Sequence, residues 1–130
     1  MTTPEIPDSH KGLLSAQVGV LGTIGASGRP QLSATWFVAE GDTVKISLNT
    51  TRQKVKNLQA DPKVSFLILD PGNPYKYIEL RGDAEISPDD DYAFADTVGA
   101  KYGGDLRERD QPGEARVVVT IKPARVITWG

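Results

Sequence analysis

Cysteine is absent from the 130 residues, which excludes disulfides, thiolate metal sites and cysteine nucleophiles together. Histidine occurs once, as His10, close to Pro4 and Pro7. A Ser/His/Asp triad or a histidine-based metal site would need that one side chain within residues 1–8 or just beyond them, a stretch expected to be flexible. His10 therefore reads as a solvent-exposed or helix-start residue, no metal is expected, and any enzyme chemistry is expected from a cofactor. No run approaches about 18 apolar residues, and "MTTPEIPDSH" has neither a basic nor an apolar leader region, so a cytoplasmic chain without a membrane segment is expected. Charge of one sign is also missing: with 25% charged residues and a net charge of -2, no field steers polyanions to the surface, and nucleic acid is not an expected partner.

What is present fits one soluble domain over residues 1–130, with 38% hydrophobic residues and enough length for a real core. Asp8 or Ser9 is placed to cap a short helix carrying Leu13 and Leu14. Three strand-like runs then follow from Gln17 to Leu48, broken by the turn formers "ASGRP" and "EGD", and read as an antiparallel meander. In the second run Leu32, Ala34, Trp36 and Val38 alternate with Gln31, Ser33, Thr35 and Phe37. The first set reads as the core face. The second reads either as a solvated face or as a polar floor under a ligand.

"KVSFLILD" (Lys63 to Asp70) is apolar on both faces, as a central strand is, and "PGNP" turns it into a long alternating strand from Tyr75 to Ile86. Gly82 there suggests a bend or bulge. Glu79, Asp83 and Glu85 on that strand read as a wet face or dimer surface rather than as paired acids and bases. "SPDDD" from Ser87 to Asp91 has a serine cap, a proline at the first helical position and acids in the first turn. Phe94, Val98 and Tyr102 give that helix a buried stripe, and Gly103-Gly104 ends it. "DLRERDQPGE" reads as a polar loop, and Pro123 interrupts the final strand, suggesting a bulge or an edge. Six or seven antiparallel strands with two or three short helices add up to a mainly β barrel, since closure removes exposed edges.

The sharpest feature is "SLNTTRQKVKNL", a strand end passing through a threonine cap into a helix that runs from about Arg52 to Ala60. Its start carries Arg52, Lys54 and Lys56, although a helix N-terminus already bears positive charge and each misplaced cation costs about 0.3 to 1 kcal/mol. The acidic start at Asp89 to Asp91 obeys the same rule, so the violation points to an anion. A phosphate there would meet backbone N–H groups, the Thr50 and Thr51 hydroxyls, the Arg52 fork and the Lys54 ammonium; the competing reading is a solvated basic face. "GVLGTIGASG" is glycine-rich but lacks the following helix that a dinucleotide fold or a P-loop needs.

The order of elements, with "ATWFV" (34–38), "VKISLNTTRQKVKNLQADPKVSFLI" (44–68) and "YIELRGDAEI" (77–86), resembles the pyridoxamine 5'-phosphate oxidase-like split-barrel family, and within it the deazaflavin-dependent reductases that use coenzyme F-420. The most specific match is Arg52-x-Lys54-x-Lys56-Asn57-Leu58 followed by Asp61-Pro62. The resemblance implies a split-barrel homodimer with cofactor sites at the subunit interface. It implies that Arg52 and Lys54 hold the cofactor phosphate, with Lys56 and Asn57 supporting them or meeting an acidic tail. It places Gln31, Ser33, Thr35 and Trp36 beside the ring system, and Tyr75 and Tyr77 on the partner subunit's side of the site. Because the chain stops at "RVITWG", pyridoxamine phosphate oxidase activity itself is not expected. The implied activity is hydride transfer from reduced coenzyme F-420 to a small unsaturated or quinone-like acceptor. An FMN-dependent oxidase-like enzyme and a non-catalytic flavin or deazaflavin carrier are the alternatives, and no catalytic acid is named.

Overall fold

The computed structural model describes residues 4–130. Seven strands form one antiparallel sheet: β1 (Gly19–Ile24), β2 (Pro30–Thr35), β3 (Val38–Glu40), β4 (Thr43–Asn49), β5 (Lys63–Asp70), β6 (Asn73–Pro88) and β7 (Arg116–Trp129). Their order across the sheet is β2-β1-β5-β6-β7-β4-β3. The two edge strands, β2 and β3, are consecutive in the chain with only Trp36 and Phe37 between them. Three backbone steps span at most roughly 11 Å, so the edges are drawn together and the sheet curls into a split barrel.

The expected meander is corrected by this topology. β1 and β2 pair as one hairpin and β3 and β4 as another, at opposite ends of the strand order. The second strand-like run breaks at Phe37 because that residue's backbone is taken by helix side chains. Its N–H donates to the Tyr102 hydroxyl at 3.0 Å, and its carbonyl accepts from Lys101 Nζ at 2.7 Å.

The alternation in β2 is legible, but its faces are the reverse of those expected. Thr35 and Phe37 are buried, whereas Leu32 is 69% exposed. Gln31 and Ser33 turn inward because α1 lies over them, offering Asn57 and Lys54 as hydrogen-bond partners. The main core is formed by Leu21, Phe37, Phe66, Ile68, Ile78, Leu80 and their neighbours from every side of the barrel. Phe37 and Phe66 meet edge to face, 5.2 Å between centroids.

β6 and β7 form the longest pairing, and their register shifts between Arg81 and Gly82. Gly82 pairs with Pro123 while Arg81 pairs with Arg125, so the extra residue, Ala124, bulges from β7. A Cβ on Gly82 would stand 2.1 Å from the Lys122 carbonyl oxygen. The glycine and the proline read separately in the sequence are thus two sides of one bulge.

The helices start later than expected. α1 (Gln53–Ala60) has Arg52, not a threonine, at its N-cap, with no side-chain cap. Ser87 and Pro88 remain in the β6–β7 ladder opposite Val118 and Val117, which overrides their capping preference. α2 (Ala93–Tyr102) begins after Tyr92, which adopts a left-handed conformation. The buried Asp89 carboxylate accepts from the Phe94 and Ala95 N–H groups at 3.1 and 2.9 Å, so one acid from the expected run does serve the helix dipole. Gly103, also left-handed, ends the helix as expected.

Two 3-10 helices complete the elements among the described residues. One, Asp8–Ser15, has Pro7 at its N-cap rather than Asp8 or Ser9, and the other, Leu106–Arg109, lies within the segment read as a loop. Of residues 1–8, expected to be flexible, 1–3 lie outside the described residues and Ile6 is 1% exposed in the main core. His10 is buried, not solvent-exposed. Its Nε2 lies 2.9 Å from the Trp129 carbonyl oxygen and its Nδ1 2.8 Å from Ser9 Oγ, so it fastens the N-terminal segment to the end of β7. No helix among the described residues is long and apolar enough to cross a membrane.

Candidate functional site

A cleft of about 440 Å³ opens where the end of β2, the end of β4, the N-terminus of α1 and the 3-10 helix Leu106–Arg109 converge. Thr35 and Trp36 form one wall, Arg52 and Lys54 a second, and Leu106 with Arg109 a third. Neither a carboxylate nor a histidine lines it.

The basic wall is built without local neutralisation. None of the ion pairs among the described residues involves Arg52 or Lys54. Lys54 Nζ reaches across to Ser33 Oγ at 3.2 Å. Burial, and secondarily the nearby Arg52 charge, hold the Lys54 ammonium below the ordinary lysine range. In the first turn of α1 the Gln53 and Lys54 N–H groups donate no hydrogen bond among the described residues, whereas the Arg52 carbonyl accepts from Val55 and Lys56. The first turn of the helix therefore keeps free donors, and its two uncompensated cations line one cleft, an arrangement that suits an anion.

A hydrogen-bond network sets the position of that helix start. Asn49, the last residue of β4, accepts from the Thr51 N–H at 2.9 Å and from the Thr51 hydroxyl at 2.7 Å. Its amide nitrogen donates to Asp110 and Glu114, each at 3.0 Å. Asp110 also takes Arg116 Nε at 2.9 Å and the Tyr92 hydroxyl at 2.9 Å, and Arg116 continues to Ser47 at 3.2 Å. Thr51 is thus held by Asn49 instead of capping α1.

On the opposite wall Trp36 stacks on Tyr102, 4.4 Å between centroids and 5° from parallel. The Arg109 guanidinium carbon lies 4.6 Å from the Trp36 ring centroid. Beside them the Thr35 hydroxyl is buried with no hydrogen-bond partner among the described residues.

Of the residues singled out in the sequence, Thr35, Trp36, Arg52 and Lys54 line the cleft and Ser33 contacts Lys54. Gln31 and Asn57 stand behind it in a closed set: the buried Asn57 donates to Thr23 Oγ1 at 3.1 Å and Gln31 Oε1 at 2.8 Å, and accepts from Gln53 at 2.9 Å. Asn57 thereby ties α1 to β1 and β2. Thr50, Thr51 and Lys56 are outside the lining, and Lys56 is exposed. Tyr75, 77% exposed, and Tyr77 sit on the outer face of β6, away from this chain's cleft.

Arg109, Arg116, Ser47 and Asn49 line the cleft without having been singled out. For Asn49 the signal was the "NTT" turn, since Asn favours bonding its own backbone two residues on. For the arginines it was the density of opposite charges in "DLRERDQPGE", which suits a folded network as well as a loop.

The sequence profile of the Pyridoxamine 5'-phosphate oxidase family matches residues 6–130. The chain belongs to this family. It resembles a solved protein named F420 Reductase, with 35% identity and a TM-score of 0.84 over 94% of this chain and 98% of that one. A conserved hypothetical protein from Mycobacterium tuberculosis is 27% identical, with a TM-score of 0.76 over 99% of this chain and 88% of that one. General Stress Protein 26 from Bacillus anthracis shares the fold at 19% identity and a TM-score of 0.73, over 94% and 92% of the two chains. Family and fold agree on an oxidoreductase architecture that takes a flavin-type cofactor.

Proposed function

We propose that the chain is a coenzyme F-420-dependent oxidoreductase that reduces a small unsaturated or quinone-like acceptor. The observation that carries this reading is the unneutralised basic start of α1: Arg52 and Lys54 line a cleft that also holds an orphaned hydroxyl, Thr35, and the first helical turn keeps two free N–H groups. When bound, the reduced deazaflavin supplies the hydride. The protein's residues bind, orient and shield. Arg52 and Lys54 take the cofactor phosphate, the Gln53 and Lys54 N–H groups complete its shell, and Thr35 and Trp36 border the ring system. Thr50, Lys56 and the Asn57 strut act from behind that contact, Lys56 meeting an acidic tail. An absence of carboxylate and histidine from the lining suits a reaction whose chemistry arrives with the cofactor.

The fit to one named relative favours F-420 over FMN, but the α1 wall reads a phosphate and both cofactors carry one. In the proposed assembly two copies pair, bringing Tyr75 and Tyr77 of one to the cleft of the other.

Titration of the purified protein with F-420 and with FMN, followed by cofactor fluorescence, tests the reading on the native chain and on Arg52→Ala/Lys54→Ala. Loss of two charged hydrogen bonds, each contributing about 1.5–3 kcal/mol, is expected to weaken F-420 binding at least a hundredfold. Unchanged affinity would overturn the phosphate assignment. Turnover of reduced F-420 with a panel of enones and quinones then separates a reductase from a carrier.

A further inference from the structure

We propose that Arg109 forms a second anion subsite in the cleft, distinct from the Arg52–Lys54 wall, and that it takes a carboxylate carried by the acceptor substrate. Only the assignment to the acceptor rests on the cofactor reading above. The placed cation stands on this chain's geometry.

Three arginines follow one another in the segment from Asp105 to Arg116. Arg107 pairs with Asp96 and Asp105, and Arg116 pairs with Asp110. Arg109 lies between Glu108 and Asp110 in sequence, yet it enters no ion pair among the described residues and lines the cleft instead. Its guanidinium rests over Trp36. Trp36 is itself fixed by its stack on Tyr102, whose hydroxyl is bonded to the Phe37 N–H at 3.0 Å and to the Gln17 carbonyl at 2.8 Å. Arg109, otherwise exposed, therefore rests against a ring whose position is fixed before any ligand arrives.

Unlike Arg107 and Arg116, Arg109 donates no side-chain hydrogen bond among the described residues, which leaves its N–H fork free for a carboxylate to meet with two parallel hydrogen bonds. Lys54 docks on Ser33 in β2, whereas Arg109 docks on Trp36, beyond the end of that strand. Trp36 is also the residue proposed to border the ring system, which is where an acceptor must lie to receive hydride. The neighbouring wall is apolar, with Val98 and Leu106, so the ligand class is a small unsaturated acid with an apolar body.

The test needs no turnover. In a Trp129→Phe background Trp36 is the remaining tryptophan, and its emission reports binding of 2-hexenoate and of its methyl ester. The acid is expected to bind at least tenfold more tightly than the ester. That preference is expected to vanish in Arg109→Gln, to survive in part in Arg109→Lys, to persist in Arg52→Ala/Lys54→Ala, and to persist in protein saturated with F-420 or FMN. No preference in the Trp129→Phe protein, or a preference retained in Arg109→Gln, overturns the subsite. A preference abolished by bound cofactor overturns the acceptor assignment, since Arg109 then serves an acidic group of the cofactor. If neither cofactor binds, the cofactor reading fails while the cofactor-free titration still decides Arg109.

Discussion

Arg116 Nε lies 2.9 Å from Asp110 Oδ2, and the two side chains are only 7% and 4% exposed. This pair closes the segment 105–115 against β7 and, through Asn49, holds the turn that leads into Arg52. The binding wall and the fold share one electrostatic joint.

Removing the acid from that joint strands a buried guanidinium, which costs about 3–5 kcal/mol. Asp110→Ala is therefore expected to lower unfolding free energy by that order in urea titrations, and to weaken cofactor binding through the loosened Asn49–Thr51 turn. The pH dependence follows from the same group. Burial alone would push the Asp110 carboxyl up, but hydrogen bonds from Arg116, Asn49 and Tyr92 together hold it below the ordinary carboxylate range. A depressed carboxyl contributes stability above its unfolded value of about 3.9 and loses it as pH falls through the folded value. The native chain should then lose stability below about pH 4 more steeply than Asp110→Asn, and equal slopes would contradict the assignment.

Lys54 predicts a dependence at the other end of the scale. Its lowered pKa means that the charged form is penalised in the empty cleft, first by burial and then by Arg52. The penalty is relieved as pH rises through the folded value, so Lys54→Met is expected to stabilise the cofactor-free protein while weakening cofactor binding. A bound phosphate favours the protonated amine. Affinity should accordingly hold at neutral pH and decline before the ordinary lysine value of 10.5, and Lys54→Arg should move that decline upward. Affinity unchanged up to 10.5 in the native chain would argue against contact between Lys54 and the anion.

How much of this was legible in the sequence depended on whether local rules acted alone. The basic start of α1, the β6 alternation and the Gly82 and Pro123 irregularities were readable because each depends on residue spacing or backbone chemistry. The β2 faces were misread because a hydrophobic count favours Leu32 and Ala34, whereas the hydrogen bonds offered by Lys54 and Asn57 turn Ser33 and Gln31 inward. That competition involves residues more than twenty positions away, which no local pattern contains. The α2 start failed for a similar reason: Ser87 and Pro88 are good caps, but the long β7 partner keeps them in the ladder. Arg109 and the Asp110–Arg116 pair were hidden in a segment whose charges look solvated until the fold brings β4 beside them.

The outward turn of Leu32 carries its own prediction. A large side chain 69% exposed on an edge strand, beside exposed Ala34, is apolar surface on the outer side of β2. If two copies pair through this face as proposed, Leu32→Glu is expected to separate them into monomers in sedimentation equilibrium, with urea stability within about 0.5 kcal/mol, as for other surface changes. If Tyr75 and Tyr77 of the second copy complete the cleft, cofactor affinity should fall with dimerisation. A Leu32→Glu protein that stays dimeric would exclude this surface from the interface, and a monomer with full affinity would exclude the two tyrosines from the site.

Thr35 separates fold from function most cleanly. Its hydroxyl is buried without a partner, and a buried hydroxyl left unsatisfied costs about 1–3 kcal/mol. Valine keeps nearly the same shape without the donor. Thr35→Val is thus expected to stabilise the cofactor-free protein by about 1 kcal/mol in urea titrations. The same substitution should weaken cofactor binding roughly fivefold, because the cofactor group then lacks the hydroxyl as its hydrogen-bond partner. A threonine retained only for packing predicts the opposite pattern, with stability unchanged or lowered and affinity untouched. The sign of the two changes measured together decides whether the orphaned hydroxyl is a ligand contact or a defect of the fold.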